Sequence, residues 1–139
     1  MSANIELDHI GIAVSKHEAH SSFWKILGWD ISKVQTEVVP DQKVKVAFLE
    51  TENKARLELL EPTDPESAVA KFLIKRGPGV HHLCLKVKDI DKLLKELKAS
   101  GIKLINETPV LGAHQCRVAF VHPSSTGGIL VELTDGGRR

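Results

Sequence analysis

The chain has 139 residues, 42% of them hydrophobic and 27% charged, with a net charge of +1; this is the size and balance of one globular domain with a real core. The near-neutral charge argues against a dedicated nucleic-acid binder, which shows a basic stripe, and no apolar run approaches the ~18 residues that span a bilayer. MSANIELD lacks the basic and apolar regions of a signal peptide, and Cys84 and Cys116 form neither a CxxC pair nor a disulfide framework, so a cytoplasmic protein with free thiols is expected.

In chain order, the first element is a short apolar strand over 9–14, DHIGIAV. An amphipathic helix follows, with Ala19, Phe23, Ile26 and Leu27 on one face. Ser15 and Glu18 have the spacing of a capping box, and Gly28 ends the helix where a positive φ is wanted. Three strands are predicted next, over 29–39, 44–50 and 55–61, with the turn residues VVPDQK between the first two. Residues 62–79 connect to the second half and include a short helix over 66–75. A second strand–helix pair comes next. The strand covers 82–87 in HHLCLKV, and the helix carries Ile90, Leu93, Leu94 and Leu97 on one face, with Asp89 as N-cap and Gly101 at its end. Strands over 103–106, 115–122 and 128–134 complete the chain, with HPSSTGG as a turn.

This order repeats. At an offset of 73 residues His9 falls on His82, Ile10 on Leu83, Ile12 on Leu85, Val14 on Val87, and Gly28 on Gly101. The unit is βαβββ, used twice: module one about 5–61, a connecting segment 62–79 and module two about 80–135, within a single domain spanning 1–139.

Strands alternate their faces. His9, Gly11 and Ala13 therefore share one face of the first strand, and His82, Cys84 and Lys86 share one face of its counterpart. His81 is out of register with His9. In RLELLEP the leucines Leu57 and Leu59 point one way and Glu58 the other; in GILVELT, Val131 and Leu133 oppose Glu132. A glutamate amid apolar residues is costly to bury without a partner. Each half thus offers one histidine on its first strand and one glutamate on its last, Glu58 lying 49 residues after His9 and Glu132 lying 50 after His82. Two imidazoles and two carboxylates suit a divalent transition metal. His17 and His20 are expected on the solvated side of the first helix, and His122 before Pro123 in a turn. His114, in LGAHQ, borders the expected cavity.

DHIGIAV, HHLCLKV, LELLEP and HPSSTGGILVEL together resemble the vicinal oxygen chelate superfamily, and its methylmalonyl-CoA epimerases in particular, from about Leu7 to Thr134. The resemblance implies an α+β fold in which two βαβββ modules form a cupped, eight-stranded mixed sheet around a metal. It implies His9, Glu58, His82 and Glu132 as ligands of one divalent ion per chain (cobalt, manganese, nickel or zinc). Some members have glutamine at the position of Glu58. The implied reaction interconverts (R)- and (S)-methylmalonyl-CoA by removal of the α-proton through a metal-stabilised enolate, with Glu132 as a base. The second proton carrier stays open between His114, a metal-bound water and another residue, because Val46 stands where some members carry a glutamate. Two further departures concern the substrate: His122-Pro123-Ser124-Ser125 lacks the lysine of HPKS, and Gly112-Ala113-His114-Gln115 departs from GAHG. The implied partner is an acyl-CoA, with no nucleic acid and no membrane, and the chain is expected to form a homodimer. The alternatives are a glyoxalase I type lactoylglutathione lyase and a metal-free small-molecule binding protein on the same fold.

Overall fold

The computed structural model describes residues 4–138. The fold is α+β: eight strands in one mixed sheet, with three helices. The strands are β1 (Glu6–Ala13), β2 (Thr36–Val39), β3 (Val44–Glu50), β4 (Arg56–Pro62), β5 (Gly79–Lys86), β6 (Val110–Leu111), β7 (Cys116–Val121) and β8 (Val131–Arg138), and the helices are α1 (Ser21–Leu27), α2 (Ala68–Arg76) and α3 (Ile90–Ala99). The strand order is β2-β3-β4-β1-β5-β8-β7-β6. The chain divides into two compact units, residues 10–81 and residues up to 9 together with those from 82 onwards.

The unit of residues 10–81 is built on an antiparallel β2-β3-β4 ladder in which Ala47 faces Leu59 and Phe48 faces Glu58. The pleat sends Ala47, Leu49, Leu57 and Leu59 to one face, where they pack with Val14, Ile31, Trp24 and Trp29. Phe48 and Glu58 lie on the other face. The predicted strand over 29–39 shrinks to Thr36–Val39. Asp30 is the reason: its Oδ1 accepts from the backbone N–H and the hydroxyl of Ser32, and its carbonyl accepts from Lys33 and Val34, so the segment turns instead of extending.

The first helix departs further from expectation. It begins only at Ser21, behind His20 in the left-handed region (φ 60°) and without a side-chain cap, so Ser15 and Glu18 form no capping box. None of its residues is buried, and Phe23, Ile26 and Leu27 are exposed. His17 precedes the helix and is buried rather than solvated. Its Nε2–H donates to the Lys45 carbonyl (2.9 Å), and its backbone N–H donates to Glu61 Oε1 (2.8 Å). These bonds tether the end of β1 to β3 and β4.

In the other unit β5 pairs in parallel with β8, which pairs antiparallel with β7 and through it with β6. The expected stop and start signals of α3 hold. The Asp89 side chain accepts from the Lys92 N–H, and Gly101 follows the helix with φ 82°. Ile90 and Leu94 are buried against Val87, Ala119, Val121 and Leu133, with Leu93 and Leu97 packed alongside. The strand expected over 103–106 is reduced to an isolated bridge between Leu104 and Val121, and the edge strand falls at Val110–Leu111. The Asn106 side chain takes the Phe120 N–H in place of a ladder carbonyl. His122 occupies a turn as expected, its Nδ1 accepting from the Ser124 N–H.

Candidate metal centre

Three of the residues singled out in the sequence converge within one unit. His9 comes from the part of β1 that belongs with residues 82 onwards, His82 from β5 and Glu132 from β8. The alternation that sends Leu85, Val131 and Leu133 to the helix side turns His82 and Glu132 to the opposite face. All three side chains are buried. His9 Nε2 lies 3.1 Å from His82 Nε2 and 3.0 Å from Glu132 Oε1, and His82 Nε2 lies 3.1 Å from the same oxygen.

This near-equilateral triangle is the feature that fits an ion. Donors ~2.0–2.2 Å from a first-row metal and at right angles to one another stand about 3 Å apart. Glu132 Oε1 is buried and has no hydrogen-bond partner among the described residues. The Nε2 atoms of His9 and His82 stand 3.0 and 3.1 Å from it. Such an orphaned buried oxygen calls for an ion or a water. Burial pushes the Glu132 carboxyl up, yet His82 and then His9 outweigh it and hold the group below the usual carboxylate range. Glu132 is therefore an anion facing two imidazoles, a donor set suited to a divalent transition metal.

Neighbouring side chains fix the donors. His9 Nδ1 donates to Asp8 Oδ2 at 2.7 Å, which leaves the Nε2 lone pair for the centre. The ring of His82 meets Phe120 edge-on at 5.6 Å, and Phe120 stands opposite Glu132 in the β7–β8 register. Cys84, buried and opposite Glu132 on β5, also lies within ligand range of Asp8 and His9. Neither Asp8 nor Phe120 was legible as part of a site. Adjacent strand residues normally face opposite ways, so Asp8 beside His9 gave no signal.

The remaining candidates sit on other elements. Glu58 is buried on β4 in the unit of residues 10–81, where Arg56 engages its Oε2 through Nη2 (2.8 Å) and Nε (3.3 Å). His114 sits half-buried in a 3-10 turn ahead of β7, with φ +58° at both His114 and Gln115. Val46 is buried on β3. His81 packs edge-on against Phe72 (5.1 Å) and is not among the three converging donors.

Residues 8–120 match the family model described as the Glyoxalase/Bleomycin resistance protein/Dioxygenase superfamily. The chain is 37% identical over 133 residues to the mitochondrial methylmalonyl-CoA epimerase of Dictyostelium discoideum, covering 94% of this chain and 78% of that one. It is 38% identical over 130 residues to the ethylmalonyl-CoA/methylmalonyl-CoA epimerase of Cereibacter sphaeroides, covering 91% and 95%. The structure superposes on a variant of Streptomyces coelicolor methylmalonyl-CoA epimerase in complex with 2-nitronate-propionyl-CoA, with a TM-score of 0.82, 34% identity and coverage of 93% and 92%. By this family match and by these identities over most of both chains, this chain belongs to the Glyoxalase/Bleomycin resistance protein/Dioxygenase superfamily and, within it, to the methylmalonyl-CoA epimerase family.

Proposed function

We propose that the protein interconverts (R)- and (S)-methylmalonyl-CoA, using a divalent ion held by His9, His82 and Glu132, with Glu58 as the fourth ligand. The observation that carries this reading is the 3.0–3.1 Å triangle closed on a buried carboxylate oxygen without a hydrogen-bond partner. The relatives named for this reaction support it. Glu58 enters on the internal repeat, which pairs one strand histidine with one strand glutamate in each half.

The chemistry is removal of a proton α to a thioester and its return on the other face. A divalent ion held by these residues would supply Lewis-acid chemistry, polarising the substrate oxygens against the negative charge that develops on them. Glu132 offers Oε1 to the donor triangle and its second oxygen as the proton acceptor. Asp8 holds His9 with Nδ1 protonated, so that Nε2 keeps its lone pair. Phe120 packs edge-on against the His82 ring, and Cys84 stands opposite Glu132 on β5. His114, on its half-buried turn ahead of β7, is the residue we assign to substrate binding.

The test is exchange of the α-proton of methylmalonyl-CoA in heavy water, with the hemithioacetal of glutathione as the parallel substrate. Exchange with the acyl-CoA alone is expected. Turnover of the hemithioacetal alone would make the protein a glyoxalase I type lyase, and metal-free protein with neither activity would make it a binding module. No helix among the described residues is long and apolar enough to cross a membrane. We assign the chain a homodimeric state, as its resemblance to the superfamily implies; light scattering at micromolar concentration is expected to give the mass of two chains, and the mass of one would exclude it.

A further inference from the structure

Beside the donor triangle, His9 takes part in a second cluster. The Asp8 carboxylate, a ring nitrogen of His9 and the Cys84 sulfur all lie within 4.8 Å of one another. The three belong to the same compact unit, Asp8 and His9 on β1 and Cys84 on β5. Asp8 Oδ2 stands 2.7 Å from His9 Nδ1, the nitrogen that the triangle does not use. Cys84 is fully buried, whereas the Asp8 side chain is 22% exposed and gives the cluster an edge toward water. Its donors differ in kind from the two nitrogens and one oxygen of the triangle. A thiolate is a soft donor, which favours zinc and softer ions over manganese.

We propose that Asp8, His9 Nδ1 and Cys84 form a second cation site that takes a thiophilic ion, and that His9 lets only one of the two sites fill at a time. Binding does not ask for idle donors. The thiol proton leaves to solvent, and His9 moves its proton from Nδ1 to Nε2 as the ion takes their places. Around a tetrahedral zinc-like ion, with a bond of ~2.3 Å to sulfur and ~2.0–2.2 Å to nitrogen and oxygen, donors stand ~3.3–3.6 Å apart, a spacing that this cluster reaches by turning its side chains. A neutral imidazole has a single lone pair. With the ion on Nδ1, Nε2 carries the proton and faces Glu132 Oε1 at 3.0 Å as a hydrogen-bond donor. With an ion at the triangle, Nδ1 keeps its proton for Asp8. A soft ion in the thiol site therefore empties the triangle by changing the tautomer of His9. The thiol site does not depend on the reaction proposed above; the exclusion rests on the triangle holding an ion.

The probe is cadmium added to chelator-stripped protein, read by the ultraviolet charge-transfer band of a cadmium–thiolate bond. The parent is compared with Cys84→Ser, Cys116→Ser and Asp8→Asn. The parent is expected to show the band at about one equivalent of cadmium. Cys116→Ser, in which Cys84 is the only thiol, is expected to keep it, and Cys84→Ser to lose it. Asp8→Asn is expected to need at least ~10-fold more cadmium, the lower range for loss of even an indirect partner of a metal. Absence of the band in Cys116→Ser overturns the site, whatever the folding of Cys84→Ser. A band that is indifferent to Asp8→Asn also overturns it, because a bare thiol then binds the ion alone. Manganese loaded beforehand, read by its paramagnetic resonance, is expected to leave as the band grows, and a band that forms with manganese still in place overturns the exclusion. A parent that shows the band but takes no manganese keeps the thiol site and removes the reading of the triangle as a metal centre.

Discussion

At the scale of residues, two glutamates that look alike in the sequence are set apart by their partners. Glu132 meets two imidazoles and Glu58 meets a guanidinium. Glu132→Gln keeps the shape and one oxygen donor but removes the carboxylate proposed as the base, so the metal-loaded variant is expected to lose at least ~100-fold in α-proton exchange while retaining part of its metal. Glu58→Gln is expected to be much milder. Equal losses would reduce both residues to simple ligands. The histidine pair gives a second contrast. His82→Ala removes a corner of the triangle and is expected to abolish most metal binding, whereas His81→Ala removes an edge-on contact with Phe72 and is expected to leave metal binding largely intact. Asp8→Ala is expected to weaken metal binding by about 10- to 100-fold in chelator competition, because His9 then loses the acceptor that fixes its tautomer. Binding at full strength in this variant would show that the backbone of β1 alone orients the ring.

At the scale of elements, the two halves repeat in sequence but differ in how their helices are used. On α3 the apolar face is core: Leu94 is 2% exposed, and Leu94→Ala is expected to cost ~2–5 kcal/mol in urea unfolding. On α1 the corresponding pattern is left exposed among the described residues. Ile26 is 87% exposed, and Ile26→Ala is expected to stay within ~0.5 kcal/mol of the parent. A large loss for Ile26→Ala would mean that something covers this face in solution. Periodicity predicts both faces equally, since it reports which side is apolar and not what lies against it. The segment before α1 shows the converse. His17 reads as a surface helix residue, yet the chain turns at His20 before the helix begins, and the imidazole closes onto β3 instead.

At the scale of the whole molecule, the donor set makes stability depend on pH. The folded Glu132 carboxyl lies below its ordinary value of 4.5, because the imidazoles outweigh burial. The stabilisation this gives is complete above that value and is lost as pH falls toward the folded one. Chelator-stripped protein is therefore expected to lose stability on acidification below about pH 4.5, and Glu132→Gln to show a flatter acid limb, as read by urea unfolding between pH 7 and pH 3. Parallel profiles for the two proteins would place the acid sensitivity elsewhere in the chain.

The sequence by itself determined the α+β class, the duplicated strand–helix–strand order, the face of each strand and three donors that meet. Each of these follows from a period of two or 3.6 residues, or from turn and cap residues acting over a few positions, as at Asp89 and Gly101. What only the tertiary structure decided depends on which surfaces meet and on side chains that break the local rule. Asp30 bends a predicted strand through its own side chain, and Asn106 replaces a ladder acceptor. Asp8 curls back to a neighbour that alternation places on the opposite face. Arg56 answers a charge two residues away, though in the sequence it is one cation among nineteen. Such contacts are set by directions and distances of about 3 Å, which a linear pattern of residue types does not encode.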